Sequence, residues 1–177
     1  MPILETRYLH WPDEAACAAT AAELAGRIGL ADAASASVFI ELHGTLGAGK
    51  TTFARYLLQA LGVQGRIKSP TYAVMESYEA QQRGAPLAIS HFDFYRFDDP
   101  QEFEDAGFRD VFASPGLKLA EWPENAAGLL PVADLVIYIE PGDGDGDGDG
   151  DADADAESDA RRVRLDAHSA LGARLIG

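Results

Sequence analysis

The sequence has almost no cysteine and no long apolar run. Cys17 is the single cysteine among 177 residues, which excludes a disulfide framework and a cysteine metal cluster. No apolar stretch approaches the roughly 20 residues that a helix needs to span a bilayer. The opening residues, MPILETRYLHWPDEAA, lack the basic and apolar regions of a signal peptide. We therefore expect a cytoplasmic protein that does not associate with a membrane.

Positive charge is scarce as well. The chain carries 29 acidic and 14 basic residues, for a formal net charge of −15. Nine of the acids lie between Asp143 and Asp159, which leaves 20 acidic against 14 basic residues elsewhere, a net charge of −6. Because no large basic face is available to release counterions from a phosphate backbone, direct binding to nucleic acid is disfavoured. We expect any contact with RNA to run through a partner.

The acidic residues concentrate in a low-complexity run without large apolar side chains. Its sequence, PGDGDGDGDGDADADAESDA, has nothing to bury, so we predict a disordered insertion at about residues 142–159. A calcium site is the alternative, but the spacing fits neither an EF-hand loop nor the glycine-rich nonapeptide of β-helices. The composition as a whole, with 47% hydrophobic residues, predicts a single folded domain over residues 1–177.

Hydrophobic patterning predicts alternating strands and helices. The apolar run VFIEL at residues 38–42 predicts a strand covered on both faces, and apolar residues at helical spacing predict a helix over residues 51–61. Asp13 is the expected N-cap of an earlier helix, and Arg83 with Gly84 predicts a turn. Further strands are expected at residues 6–10, 71–78, 87–92, 117–122, 133–140 and 161–165, and further helices at 13–28 and 100–108.

The loop between the strand at 38–42 and the following helix matches the Walker A pattern G-x-x-x-x-G-K-[ST]. Its four fixed positions are occupied by Gly44, Gly49, Lys50 and Thr51. In this motif, backbone N–H groups and the positive end of the following helix bind phosphate. We therefore expect the loop amides, including those of Gly47, Ala48 and Thr52, to face the phosphates of a nucleotide. Lys50 should reach the β and γ phosphates, and the Thr51 hydroxyl should ligate Mg²⁺.

Hydrolysis needs a second group that holds the metal ion and the attacking water. Asp93 closes the predicted strand LAISHFD, where it is either a Walker B aspartate or a turn aspartate at a strand end. Glu121 follows another predicted strand and is either a metal ligand or the polar end of an amphipathic strand. Trp122 offers a flat face to the ribose or the base, although tryptophans more commonly pack in the core.

Two further polar groups are ambiguous. Ser69 and Thr71, in the sequence SPTY, belong either to a loop that senses the γ phosphate or to a simple hydroxyl-stabilised turn. Arg96 either neutralises phosphate charge or forms a surface salt bridge. The chain has no N-K-x-D element for guanine, because its one asparagine, Asn125, precedes an alanine. Adenine is therefore the expected base.

Four motifs in order resemble the bacterial TsaE family, the ATPase component of the machinery that makes threonylcarbamoyladenosine in tRNA. They are GTLGAGKTT (44–52), SPTY (69–72), HFDFYR (91–96) and EWPE (121–124). The resemblance covers nearly the whole chain. It implies an α/β fold, the three-layer α/β/α sandwich of P-loop NTPases, with a mixed, mainly parallel sheet and a C-terminal β-hairpin. It also implies a Mg²⁺-dependent ATPase that acts with paired TsaB and TsaD subunits in the cytoplasm.

The resemblance further implies roles for individual residues. Lys50, Asp93 and Glu121 would be catalytic, with Thr51 and Glu121 holding Mg²⁺ and Asp93 supporting the metal and water. Trp122 would border the bound ATP or ADP, and the segment that begins at Asp13 would approach the adenine. The remaining residues implied for the same active face, as a switch or partner surface, are Ser69, Thr71, His91, Tyr95 and Arg96.

Two other functions share these features. A small-molecule or nucleotide kinase would also need a P-loop and metal carboxylates, but it usually carries an arginine-rich lid, and no such segment is evident. A nucleotide-dependent adaptor without turnover would bind nucleotide only to shape a protein interface.

The acidic run departs from the TsaE pattern by enlarging a hairpin that is usually short, without touching the P-loop motifs.

Overall fold

The computed structural model describes residues 2–31, 36–68, 70, 73–142 and 159–177. Three of the sequence predictions fall elsewhere. Ser69, Thr71 and the acidic insertion predicted at 142–159, except for its two end residues, lie outside the described residues.

The described strands form one seven-stranded sheet with the order β1-β7-β6-β2-β5-β4-β3. Their bounds are β1 (Glu5–Trp11), β2 (Ser37–His43), β3 (Met75–Gln82), β4 (Ala85–Asp93), β5 (Gly116–Glu121), β6 (Leu135–Pro141) and β7 (Arg161–Ala167). Strands β6, β2, β5 and β4 pair in parallel, whereas β7 runs antiparallel to both β6 and β1, and β3 antiparallel to β4. Five strands therefore share one direction, and the predicted mixed, mainly parallel sheet with a C-terminal hairpin is confirmed.

Helices cover both faces of the sheet. They are α1 (Glu14–Leu30), α2 (Lys50–Ala60), α3 (Pro100–Asp105), α4 (Phe108–Ala113) and α5 (Ala170–Ile176), with a 3₁₀ helix at Pro123–Ala126. Buried residues of α1, α2 and α5 pack in one apolar cluster with one face of the sheet. The cluster on the other face joins α3, α4 and the 3₁₀ helix and holds seven of the chain's eight phenylalanines. The predicted three-layer α/β/α sandwich is confirmed.

Strand β2 shows why a short apolar run becomes the centre of this sandwich. Val38, Ile40 and Leu42 point to the α2 side, while Phe39 points to the phenylalanine cluster. Successive side chains of a strand alternate between faces, so a strand with helices on both sides must be apolar at almost every position. Its C-terminal end lies beside the ends of β4 and β5, where open α/β sheets collect their ligands.

Helix α1 begins as the sequence predicts. The Asp13 side chain accepts a hydrogen bond of 2.9 Å from the Ala16 backbone N–H, which satisfies one of the free N–H groups of the first turn. Cys17, Ala21 and Leu24 are buried along one face, and their spacing matches the helical repeat. None of the helices in the described ranges combines the length and the apolarity that crossing a bilayer requires.

Two of the predicted elements were wrong in detail, and one helix was not predicted. The single helix predicted at 100–108 is two helices, because the chain turns at Gly107 with a φ of 73°, a left-handed conformation that ends α3 and begins α4. The strand predicted at 71–78 begins at Met75 and extends to Gln82, up to the turn correctly predicted at Arg83 and Gly84. The sequence prediction missed α5, which is only 7 residues long.

Candidate functional site

The loop with the Walker A pattern, residues 44–51, is called the P-loop; it follows β2 and leads directly into α2. Gly49 caps the helix with a φ of 109°, and Gly47 has a φ of 80°, both in the region that favours glycine. A Cβ on Gly44 would lie 2.5 Å from the Ile139 carbonyl oxygen, so a larger residue is excluded there. The N-terminus of α2 opens on a cavity of about 320 Å³, the P-loop cavity. Its lining is Leu46, Gly47, Ala48, Gly49, Lys50, Thr51, Thr52, Asp93, Tyr95, Glu121 and Trp122.

Lys50 is buried at the floor of this cavity. Its Nζ donates hydrogen bonds to the loop's own carbonyls, those of Gly44 and Thr45. The same Nζ lies 3.7 Å from the centroid of the Trp122 ring. Burial lowers the pKa of Lys50, and the nearby charge of Glu121 partly restores it. A phosphate oxygen at the loop would compete for these Nζ donors as a stronger, charged acceptor.

Glu121 ends β5 in the interior, with only 1% of its surface exposed. Its Oε1 accepts a hydrogen bond of 2.7 Å from the Thr51 hydroxyl. Its Oε2 lies 2.6 Å from Nε2 of His91, which is also 1% exposed. The other ring nitrogen of His91, Nδ1, has no hydrogen-bond partner among the described residues. The predicted partners Thr51 and Glu121 are thus brought into direct contact, and His91 is buried behind Glu121.

Asp93 lies opposite Glu121 in the parallel pairing of β4 and β5. Its Oδ1 accepts a hydrogen bond of 3.0 Å from the Tyr95 backbone N–H, which is a turn-type contact at the strand end. Burial raises the pKa of the Asp93 carboxyl, and the charge of Glu121 adds to this rise. Asp93 therefore serves the turn and also lines the P-loop cavity, so both readings of this residue have support.

Trp122 adopts a left-handed backbone conformation, with φ 54° and ψ 45°. A bulky residue in this region is a genuine outlier, and such strain concentrates at functional sites. The turn is held from outside, because Asn125 Nδ2 donates to the Phe94 carbonyl at 3.0 Å. The indole ring lies between Lys50 and Tyr95, whose ring centroid is 5.1 Å away. The strained turn thus places the indole over the lysine at the wall of the cavity.

A second cavity, of about 110 Å³, lies between the P-loop and the C-terminal hairpin. Its lining is Trp11, Asp13, Glu14, Cys17, Ala48, Gly49, Thr52, Asp159 and Arg161. We call it the hairpin-side cavity. It shares Ala48, Gly49 and Thr52 with the P-loop cavity. Asp13 therefore lies beside the loop, although its Oδ1 is already engaged by the cap of α1. Burial raises the pKa of the Cys17 thiol to about 11, which keeps it protonated at neutral pH.

Two residues at or beside this site were not predicted from the sequence. Arg161 donates from Nε to the Ala48 carbonyl at 2.8 Å, across a sequence separation that no local motif could reveal. His43, the last residue of β2, lies 2.9 Å from a Glu41 carboxylate oxygen and lines a cavity of about 420 Å³ beside Trp122. Its position directly before the first glycine of the motif was the available signal. Arg96, by contrast, is exposed and is absent from the lining of the P-loop cavity.

The fold and the loop together define an α/β protein of the P-loop class. A sequence model of the family described as "Threonylcarbamoyl adenosine biosynthesis protein TsaE" matches residues 11–146. The chain belongs to the TsaE family.

Individual relatives agree with this assignment. The chain is 40% identical over 140 residues to the tRNA threonylcarbamoyladenosine biosynthesis protein TsaE of Haemophilus influenzae, covering 79% of this chain and 77% of that protein. It is 36% identical over 101 residues to the protein of the same name from Bacillus subtilis, covering 57% and 60%. A crystal structure of Bacillus subtilis YdiB superposes with a TM-score of 0.69 over 99% of this chain and 95% of that one, at 23% identity. This structural likeness supports the fold.

Proposed function

We propose that this protein binds ATP with Mg²⁺ and hydrolyses it in the biosynthesis of threonylcarbamoyladenosine in tRNA, acting on a complex of the TsaB–TsaD type. The observation that carries the proposal is the contact of Thr51 with Glu121 at the mouth of the P-loop, backed by His91. A hydroxyl and a carboxylate at the N-terminus of a helix are the pair that a metal–phosphate group requires.

The oxygen chemistry of the pair fits Mg²⁺. This ion prefers oxygen ligands and commonly takes one or two from the protein, the rest from phosphates and water. Among the described residues there is no group of three His, Cys, Asp or Glu side chains that could form a complete protein cage. Thr51 and Glu121 would therefore hold the ion together with the nucleotide. When bound, Mg²⁺ stabilises the negative charge that develops on the transferred phosphoryl group.

The remaining residues act by binding and orienting. The loop amides and the positive end of α2 bind the phosphate oxygens, and Lys50 moves its Nζ from the loop carbonyls to the β and γ oxygens. Asp93, at the end of β4, would support the metal ion and orient the attacking water. His91 keeps the Glu121 carboxylate in place by its hydrogen bond to Oε2. Trp122 closes the wall beside Lys50 and excludes water from it.

The base is expected on the hairpin side of the loop. Ala48, Gly49 and Thr52 line both cavities, so a nucleotide with phosphates in the P-loop cavity extends towards Trp11 and Asp13. A carboxylate at Asp13 can accept a hydrogen bond from the exocyclic amine of adenine. This supports ATP and ADP as the ligands.

Partner binding is expected at the rim of the P-loop cavity. Leu46 is 73% exposed and Tyr95 is 48% exposed, and both line the cavity. Exposed apolar and aromatic groups around a polar cleft are typical of protein contact surfaces. The net charge of −15 disfavours direct contact with tRNA, so a protein partner is the better occupant.

The test is ATP hydrolysis by the purified chain, alone and with TsaB and TsaD, in the presence of Mg²⁺. We expect slow turnover by the chain alone and faster turnover with the partners. Glu79→Ala, at an exposed carboxylate on β3, is the control and should match the wild type. Nucleotide-stimulated association without turnover would instead support the adaptor function. Phosphorylation of a small molecule would support the kinase.

A further inference from the structure

We propose that Arg161, at the start of β7, is a positioning residue for the phosphate-binding loop. It holds the Ala48 carbonyl so that the N–H of the same peptide group, which belongs to Gly49, faces the phosphates. This inference rests on the proposed nucleotide binding and adds a link between the C-terminal hairpin and the loop.

The backbone and the side chain of Arg161 are both fixed by neighbouring groups of the sheet. It is the first residue of β7, paired with Trp11 of β1 and Pro141 of β6. Its Nη1 donates to the Ala160 carbonyl at 2.9 Å, and its Nε donates to the Ala48 carbonyl at 2.8 Å. A planar guanidinium with two fixed hydrogen bonds has little freedom left. The hairpin therefore presents a rigid donor to one particular peptide of the loop.

The orientation of that peptide decides what the loop can bind. A peptide group is planar and trans, so its C=O and N–H point in opposite directions. The Ala48 carbonyl points to Arg161, and the Gly49 N–H must therefore point away from the hairpin. Gly49, at a φ of 109°, caps α2, where the free N–H groups of the first turn bind anions. A flipped peptide would present a carbonyl oxygen to the phosphates and repel them.

Among the described residues, no backbone N–H of the loop donates to the Ala48 carbonyl, so the hydrogen bond from Arg161 is the support that this peptide has there. Neighbouring groups are fixed from within, because Ala48 N donates to the Thr45 carbonyl at 3.1 Å and Phe53 N donates to the Gly49 carbonyl at 2.9 Å. Glycine accepts both signs of φ at little cost, so a peptide followed by glycine can flip easily. The charged donor of Arg161 also polarises the peptide and strengthens its N–H as a donor.

The experiment compares Arg161→Met, which keeps the length of the side chain but removes the donors, with Arg161→Lys and the wild type. Arg164→Met is the matched control, since Arg164 lies on the same strand with its guanidinium over the Tyr138 ring. Calorimetry measures the affinity for ADP and for inorganic tripolyphosphate, and NMR records the Gly49 amide resonance without nucleotide. We expect Arg161→Met to lower the affinity for both ligands about tenfold, which corresponds to about 1.4 kcal/mol. The Gly49 resonance should also shift. Arg161→Lys should recover only part of the affinity. Arg164→Met removes the partner of Asp166 and should lower stability, but the folded variant should match the wild type in both affinities and in the Gly49 resonance.

Several outcomes would overturn the proposal. Unchanged affinities in Arg161→Met, or an unmoved Gly49 resonance, would show that the loop does not need Arg161. Loss of ADP affinity with tripolyphosphate unaffected would make Arg161 a contact for the ribose or base instead. If Arg161→Met fails to fold, Arg161→Gln, which loses the charge and shortens the reach to the loop, is tested in its place. Weaker tripolyphosphate binding together with a shifted Gly49 resonance would support the proposal, and an unmoved Gly49 resonance would overturn it. A wild-type protein that binds no ADP would refute the proposed function, a separate result.

Discussion

Two carboxylates in this molecule are equally buried but differently surrounded. Glu121 and Asp166 are each 1% exposed, and both lie on strands of the same sheet. Asp166 accepts a hydrogen bond of 2.8 Å from the Thr6 hydroxyl, and Arg164 Nε lies 3.2 Å from its Oδ2. Glu121 contacts a hydroxyl and an imidazole, Thr51 and His91, at the wall of the P-loop cavity.

The difference between them predicts a structural role for Asp166 and a functional role for Glu121. A buried charge is costly unless a partner compensates it, and Arg164 compensates Asp166 within the chain. The guanidinium is itself placed by the Tyr138 ring, 4.2 Å away. Glu121 has the same burial, but its carboxylate borders a cavity that is large enough for a ligand. We therefore expect replacement of Glu121 to lower the rate of ATP hydrolysis and replacement of Asp166 to lower the free energy of unfolding.

The largest effect is expected for Glu121→Ala. The P-loop amides and Lys50 remain, so the variant should still bind ADP, but the metal-dependent step should slow roughly tenfold to a thousandfold because transition-state charge is less stabilised. ATP hydrolysis with TsaB and TsaD present measures the rate. Trp122 fluorescence should still respond to ADP and so reports an intact pocket. Hydrolysis at the wild-type rate would assign the metal to Asp93 instead.

Lys50→Ala should affect binding rather than the metal. Among the described residues that line the P-loop cavity, Lys50 is the one with a cationic side chain, and charge-assisted hydrogen bonds are about twice as strong as neutral ones. We expect ATP affinity to fall about a hundredfold, in line with the loss of about 1.5–3 kcal/mol for hydrogen bonds to charged groups. Calorimetry with Mg²⁺ gives the measurement. An unchanged ATP affinity would contradict the P-loop assignment, whatever the result for Glu121→Ala.

His91 tests how the surroundings of Glu121 matter. Removing the hydrogen bond in His91→Ala should raise the Mg²⁺ concentration that gives half-maximal ATP hydrolysis about tenfold, because losing a group that orients a metal ligand typically lowers metal affinity 10–100-fold. Glutamine can place an amide donor near the position of Nε2, so His91→Gln should recover most of this loss. ADP affinity without Mg²⁺ should be the same in all three proteins. A fall in that affinity would point to a collapsed pocket rather than a misplaced carboxylate.

The sequence predicts the parts of this site that depend on short-range order. The P-loop residues are adjacent in the chain, so strand, loop and helix could be assigned together. Asp93 and Glu121 could be placed at one edge because parallel strands end on the same side of a sheet. The role of His91 could not, since its contact with Glu121 depends on the register of β4 against β5. Arg161 lies 113 residues after Ala48 in the chain. Its contact with the loop depends on the register of the β6–β7 hairpin, which the sequence pattern does not reveal.

The smallest effect on function, and the one that completes the comparison, is expected for Asp166→Ala. The substitution removes the acceptor of the Thr6 hydroxyl and leaves Arg164 without its carboxylate. Thr6 is exposed and the Arg164 side chain is 42% exposed, so water can solvate both, and the loss should be about 1 kcal/mol, the net contribution of a typical hydrogen bond. The urea midpoint should therefore fall with the denaturant slope unchanged, the sign of lost stability rather than altered compactness. ADP affinity of the folded variant should stay within about twofold of the wild type, because neither cavity at the loop includes Asp166.

Thr6→Val is the matched variant, since it removes the hydroxyl and leaves the ion pair with Arg164; it should cost less stability than Asp166→Ala. Weakened ADP binding in the folded Asp166→Ala protein would show that the β1–β7 pairing and the P-loop are coupled beyond Arg161. The two carboxylates would then differ in degree and not in kind.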